Sequence, residues 1–395
     1  QKESFIMANR NRVIYQSEGL YVSKNAANTT AADHEQLERV QSANYSYTIN
    51  RQDVNQYGEL ARLDSLVLDP PTVNVDFSYL LTDSYNERIL GFFVQQSGTA
   101  NSLVGVPTQA ANAEGNFASG HMVAHSGVNV FIVTSPDGVD LNKDPAEALD
   151  ASDTIIGVGN CYISDYSVDL SVGALPTVSV TMEGANMNSN TSGTNFASPA
   201  INQEDGQPLV GAKGTIVALP NPTQTPGGAP KDIAVVNALR PGDITLDFSN
   251  VSGETMAQLN GDGANHVQSV SLSLPLSRTP IQRLGSKFPF ARSVDFPVNV
   301  SLSASAILND TEHNNLADVL ESGAQTITIS MKDSGGNTAI RYHLKEAKLD
   351  SESFSSSIGA NKSVDLTFSA QVGGPEDQTA GLFMSGFNGN KIFQA

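Results

Sequence analysis

VQSVSLSLPLSRTPIQRLG, from Val267 to Gly285, sets serine at every second position from Ser269 to Ser273, with valine and leucine between them. Strict alternation of this kind marks a β-strand with one apolar face and one hydroxyl face. An echo lies 227 residues earlier. VQSANYSYTINRQDVNQYG, Val40–Gly58, matches without a gap at Val40, Gln41, Ser42, Ser46, Arg51 and Gly58. It also puts Tyr45, Tyr47 and Ile49 where Leu272, Leu274 and Leu276 stand, so the apolar phase is kept. The chain is written twice.

The repeat extends outward from this pair. PPTVNVDFSYLL (Pro70–Leu81) answers FPVNVSLSASAI (Phe296–Ile307); laying VNV on VNV moves the offset to 225 and calls for a two-residue gap. DSYNERILGFF from Asp83 and DTEHNNLADVL from Asp310 return to 227. Each reads as an aspartate N-cap before a helical apolar stripe, Ile89, Phe92 and Phe93 in one and Leu316, Val319 and Leu320 in the other. A last unit, Cys161–Gly184 against Ala347–Ala370, runs at 186, with Gly173-Ala174 and Gly359-Ala360 at hairpin turns. The fall from 227 to 186 gives the first copy about forty extra residues, placed in Ser97–Val128 and Ser135–Asp153. The expected class is mainly β: two tandem β-sandwich domains, 1–186 and 241–395, each with one flanking α-helix. Residues 187–240 between them read as a linker with one short strand at Thr215–Leu219.

Composition narrows the function. A net charge of −19 argues against a nucleic-acid binder that grips phosphates, which needs a basic footprint. Cys161 is the single cysteine, so neither an intrachain disulfide nor a multi-cysteine zinc site is possible; it reads as a buried apolar residue. The longest apolar run, Ile89–Val94, is too short to span a membrane, and QKESFIMANRNR lacks a signal-peptide core. HMVAH (His121–His125) has metal-like spacing but no glutamate, and NGDGAN (Asn260–Asn265) lacks the downstream glutamate of a calcium loop. No catalytic triad or phosphate loop stands out. The chain reads as a non-enzyme without cofactor or metal.

The faces of the strands carry the remaining signal. The polar face of the first copy holds Asn44, Ser46, Thr48, Asn74, Asp76, Ser78 and Asp169. That of the second holds Ser271, Ser273, Asn299, Ser301, Ser303 and Asp365. An ordinary solvated sheet would scatter lysine and arginine there against edge pairing, and these positions have none. A wetted, cation-free surface with a few aspartates mildly repels a polyanion, as a conduit for DNA requires. The cations gather at the hairpin tips instead: Arg51 and Arg62 in one copy, Arg278, Arg283, Lys287 and Arg292 in the other. They are either solvated or aimed at acidic patches on a stacked neighbour.

These stretches resemble the bacteriophage tail tube (major tail) proteins. Gly159–Asn186 looks like the family's C-terminal hairpin, and Val267–Gly285 looks like its long first hairpin. GLYVSKN (Gly19–Asn25) and ITLDFSN (Ile244–Asn250) look like its opening strand. The resemblance implies tube-type domains whose inner strands join between subunits into a barrel, with stacked rings conducting double-stranded DNA. It implies self-assembly as a pseudo-sixfold trimer, or alternatively a hexamer, with other tail proteins as partners and no membrane. The polar faces above would line the lumen and the tip cations would meet the next ring. The location implied is the virion tail, assembled in host cytoplasm. Two alternatives stand beside it, a tail hub or distal tail protein with paired tube domains and an extracellular Ig-like adhesin.

Overall fold

A computed structural model describes residues 18–27, 29–67, 71–81, 84–96, 116–123, 127–136, 152–202, 215–220, 244–249, 265–284, 291–308, 323–332, 338–356 and 363–386, with a few isolated positions besides. The first half contributes β1 (Glu18–Ser23), β2 (His34–Gln36), β3 (Val40–Thr48), β4 (Arg51–Val54), β5 (Asp64–Val67), β6 (Thr72–Leu80), α1 (Tyr85–Ile89), β7 (Gln95–Gln96), α2 (Ser119–Val123), β8 (Val128–Thr134), β9 (Thr154–Ser171), β10 (Thr177–Gly184) and β11 (Asn186–Asn190). The second half contributes β12 (Ile244–Ser249), β13 (Asn265–Pro275), β14 (Arg278–Ile281), β15 (Ala291–Val294), β16 (Val298–Leu308), β17 (Gln325–Lys332), β18 (Thr338–Ser355), β19 (Ser363–Val372) and β20 (Gly381–Gly386). The protein is mainly β and almost wholly antiparallel. Thr215–Leu219 forms one isolated bridge, Ala197 to Ile216, rather than a strand.

The two halves pair their strands identically. Ser42 faces Ser78 and Tyr45 faces Val75, as Ser269 faces Ser305 and Leu272 faces Leu302. The β3–β6 pairs from Val40–Tyr79 to Ser46–Asn74 thus map onto β13–β16 at 227, and so does the tip hairpin, where Arg51 faces Val67 and Arg278 faces Val294. The offset of 225 with its gap is therefore wrong: Val73 corresponds to Val300, not Val298. A slip of two leaves every side chain on its own face, so alternation alone could not detect it. The β9–β10 pairs map onto β18–β19 at 186, including a register shift at the same place in both. Strand β8 maps onto β17 at 197, since Val130 faces Val158 and Ile327 faces Leu344. The first half accordingly holds 30 more residues between β6 and β8 (227 minus 197) and 11 more between β8 and β9 (197 minus 186).

Each half folds as two sheets sharing one long strand. Residues 154–161 of β9 pair with β8 and β11, and residues 162–171 pair with β10 and β13. Strand β18 divides the same way between β17 and β20 above and β19 below. At the crossing stand Asn160 (φ 54) and Glu346 (φ 56), equivalent residues in the left-handed region. Such a residue re-aims a strand where it changes sheets. In the first half Asn160 also uses its side chain, whose Oδ1 accepts from the Ile201 N–H at 2.9 Å.

Helix α1 is shorter than its apolar stripe. Ser84, not Asp83, occupies the N-cap, without a side-chain bond; Asp83 lies outside the described residues. Gly91, at φ 92, ends the helix: Phe92 N–H donates to Glu87 O and Gly91 N–H to Arg88 O, a Schellman closure. Ile89 and Phe92 are buried, and Phe93 is half-buried beyond the helix. The expected second helix, Asp310–Leu320, lies outside the described residues, as does Gly359-Ala360. One apolar core runs through both halves, from Val75 and Tyr166 to Leu302 and Phe368.

Candidate assembly interface

Eight strand segments form one continuous sheet, in the order β3-β6-β10-β9-β13-β16-β19-β18. Its first four come from the first half and its last four from the second, in the same internal order. The residues expected on the polar face all stand on one side of it. Asn44, Ser46, Thr48, Asp76, Asp169, Ser271, Asn299, Ser301, Ser303 and Asp365 are exposed, and Asn74, Ser78 and Ser273 are half-buried. One rung runs Ser42, Ser78, Ser179, Ser167, Ser273, Ser301, Ser369 across seven strands and ends on Lys348. Hydroxyls and carboxylates on this face bond to one another: Ser42 Oγ to Ser78 Oγ at 2.7 Å, Ser271 Oγ to Asp169 at 2.8 Å, Thr181 Oγ1 to Asp76 at 2.9 Å. Burial raises the Asp165 carboxyl above its ordinary range. Sequence reading missed Lys348, the second residue of the Ala347–Ala370 unit.

The joint between the halves is β13 on β9, with Ser269 facing Ser171, Leu272 facing Val168 and Leu274 facing Tyr166. On its apolar side Leu272, Leu274 and Leu276 are 1%, 0% and 0% exposed. Each such burial contributes about 1.5–3 kcal/mol. Behind them a polar cluster ties the halves. Tyr79 donates to Glu87 at 2.8 Å, Tyr166 reaches the same carboxylate at 3.3 Å, and Tyr342 of the second half meets Tyr166 at 2.8 Å. Burial, with the Glu87 charge beside them, holds all three phenols well above their usual range, so they stay protonated and can donate.

The extra residues of the first half close over this joint. Phe117 stacks on Phe92 at 4.2 Å, and both rings meet Tyr166 edge-on. Phe117 N–H donates to Leu382 O of β20, and the Asn116 side chain to Gly374 O at 3.0 Å. Strand β7 runs parallel to β20. A Cβ at Gly386 would fall 2.3 Å from Ser84 Oγ, so that close approach requires glycine.

The tip hairpins differ in surroundings. In the second half, Arg278 lies 4.8 Å from the Tyr162 ring centre and donates to His121 O, and Arg292, itself buried, lies 3.6 Å from Glu183. Within the chain these two arginines thus face the first half rather than open solvent. Arg51, Arg62 and Arg283 are exposed, Arg62 pairing with Asp53 at 2.9 Å; Lys287 lies outside the described residues. His121 is buried against Phe92, and burial together with Arg278 lowers its pKa to about 3. His125 and Asn260–Ala264 are outside the described residues, and among those described no three potential ligands cluster. Cys161 is buried, and burial pushes its thiol up to about 12.

The outer edges of the sheet repeat the joint with half of it missing. Among the described residues β3 pairs only with β6, and the lower part of β18 only with β19. Tyr45, Tyr47 and Ile49, equivalents of the three buried leucines, are 41%, 56% and 42% exposed. Phe354, equivalent of Val168, is 45% exposed against 1%.

Among solved structures the chain is similar to the baseplate of the anti-feeding prophage, determined by cryo-electron microscopy with six-fold symmetrisation. Identity is 13% over 36% of this chain and 91% of that chain, with a TM-score of 0.22. A likeness so slight says nothing about fold or function. No family model matches the chain, and no curated protein matches it.

Proposed function

We propose that the chain is a structural protein of a bacteriophage tail tube, non-catalytic, whose copies close into stacked rings around a DNA-conducting channel. The observation that carries the reading is the repeated joint. The β3 equivalents of residues buried where β13 meets β9 are exposed, and so is Phe354 of β18, the equivalent of buried Val168. The two free edges are the two halves of one interface, so copies join head to tail and the sheet can close. Closure also removes both edges, which would otherwise invite uncontrolled pairing.

The geometry of the sheet supports closure. The serine rung enters at Ser42 and reaches β13 at Ser273, the equivalent of Ser46. Register therefore advances four residues for every four strands. At ~3.3 Å per residue and ~4.8 Å between strands, that shear corresponds to a strand tilt of about 35°, within the range of closed barrels. Three chains supply 24 strands, and such a barrel would be about 44 Å across between backbones. Barrels of roughly 16–18 strands already hold water-filled channels. The hydroxyl-rich face would line the bore, where Asp76, Asp169 and Asp365 outnumber Lys348 and leave passing phosphates little to bind.

Negative-stain microscopy of the concentrated protein tests the reading. Rings or tubes with a central channel are expected, of mass three times 41.7 kDa per ring. Monomers at every concentration would overturn it, and a single terminal ring that never stacks would favour a tail hub.

A further inference from the structure

Resting on the ring reading, the internal joint specifies the chain-to-chain joint residue by residue. We propose that β3 of one copy docks antiparallel on β18 of a second copy with Asn44 opposite Ser355, Tyr45 opposite Phe354, Ser46 opposite Ser353 and Tyr47 opposite Glu352.

The register follows from the two offsets. Ser271 faces Asp169, Leu272 faces Val168, Ser273 faces Ser167 and Leu274 faces Tyr166. Subtracting 227 on the first side and adding 186 on the second gives the four pairs above. Both offsets are fixed independently, by β3–β6 against β13–β16 and by β9–β10 against β18–β19. A slip of one residue would turn Tyr45 and Tyr47 onto the polar face, and a slip of two would depart from the advance of four residues that the internal joint sets.

The chemistry changes in a complementary way. Inside the chain, leucine meets tyrosine and leucine meets valine. Between chains, the phenol of Tyr47 meets the carboxylate of Glu352, and two rings meet at Tyr45 and Phe354. The acceptor has moved from the neighbouring helix, at Glu87, onto the docking strand itself. A tyrosine hydroxyl can be solvated before docking and can donate to a carboxylate after it, so the open edge stays wettable until a partner arrives. The internal joint needs no such property: Leu272, Leu274 and Val168 are apolar, and the Tyr166 phenol is already bonded to Glu87 within the chain.

Cysteine pairs test the register. The one native cysteine is buried, so only introduced thiols react. A mixture of Asn44→Cys chains and Ser355→Cys chains, oxidised with diamide, is expected to give a disulfide-linked dimer, since directly opposed Cβ atoms lie about 4.5–5.5 Å apart. The Asn44→Cys with Ser353→Cys mixture is expected to link far less. Rings seen by microscopy with the second mixture linking, or neither, would overturn the register and leave the ring reading standing. Absence of rings in the unmodified protein would overturn both. As a second measurement, Tyr47→Phe and Glu352→Gln are each expected to raise the concentration for ring formation roughly ten-fold, as loss of a charged hydrogen bond does. The double variant should be no worse than either single one, with unfolding of the dispersed Tyr47→Phe chain unchanged. Additive losses would overturn the Tyr47–Glu352 contact.

Discussion

Leu274 and Tyr47 occupy the same place in the repeat, yet truncating them should injure different things. Leu274 is wholly buried between β16 and β9, touching the joint that holds the halves together. Leu274→Ala removes that contact and leaves a cavity, a loss of about 2–5 kcal/mol. With an unfolding entropy near 2.1 cal/mol/K per residue, ~3 kcal/mol lowers the melting temperature of a chain this long by about 4 °C. Tyr47 is more than half exposed on β3, so Tyr47→Ala should cost the isolated chain under ~0.5 kcal/mol, less than 1 °C. Its cost should appear on assembly, when the residue is covered as Leu274 already is. Thermal unfolding of both variants under dissociating conditions, followed by sedimentation velocity under assembling ones, separates the two. If Tyr47→Ala destabilised the dispersed chain as much as Leu274→Ala, β3 would not be a bare edge and the joint argument would fail.

Other perturbations reach the remaining links. Lysines at Ser271, Ser301 and Asp76 should leave ring assembly intact while slowing genome delivery in an ejection assay; unchanged delivery would refute the sliding face. Glu346→Gly should stabilise the chain by up to ~1 kcal/mol in chemical denaturation, because φ 56 strains any residue with a Cβ, whereas Asn160→Ala should destabilise it by ~1–3 kcal/mol through the lost bond to Ile201. Glu87→Ala should cost ~3 kcal/mol or more, since Tyr79 and Tyr166 lose their buried acceptor. His34, His121 and His343 are all held below their ordinary pKa by burial, His121 at about 3 and His343 at about 4. The unfolded chain therefore binds protons that the folded chain does not. Stability should be fully present above pH ~6.5 and fall as pH drops from there toward 4, by up to ~1.4 kcal/mol per pH unit for each histidine. Replacing His121 with Gln should shallow that slope.

The repeat and its faces could be read from the residues because alternation has a period of two and the serines keep it for long stretches. The same periodicity concealed the error at Val73, where a shift of two residues changes nothing that a pattern can register. Helix α1 was legible as a stripe but not in length, because Gly91 ends it through a backbone conformation that its neighbours do not announce. The joint itself was not legible. Nothing local in Leu272 or Val168 says that their strands are neighbours, and the Glu87–Tyr79–Tyr166–Tyr342 cluster draws on α1, β6, β9 and β18. Arg278 and Arg292 show the same limit. Read along the chain they are tip charges, but folded they lie over Tyr162 and beside Glu183. The extra segment of the first half was visible only as a change of offset, and its seat at Phe117 over the joint comes from contacts more than 200 residues away in sequence.

A cryo-electron microscopy map of the assembled particle, at a resolution that traces strands, tests ring closure most directly. Closure through the repeated joint requires a continuous 24-stranded barrel of three chains, with β3 hydrogen-bonded to the neighbouring chain's β18 and the serine rungs facing the bore. An assembly in which β3 and β18 remain solvent-exposed, or in which the hydroxyl face turns outward, would contradict it.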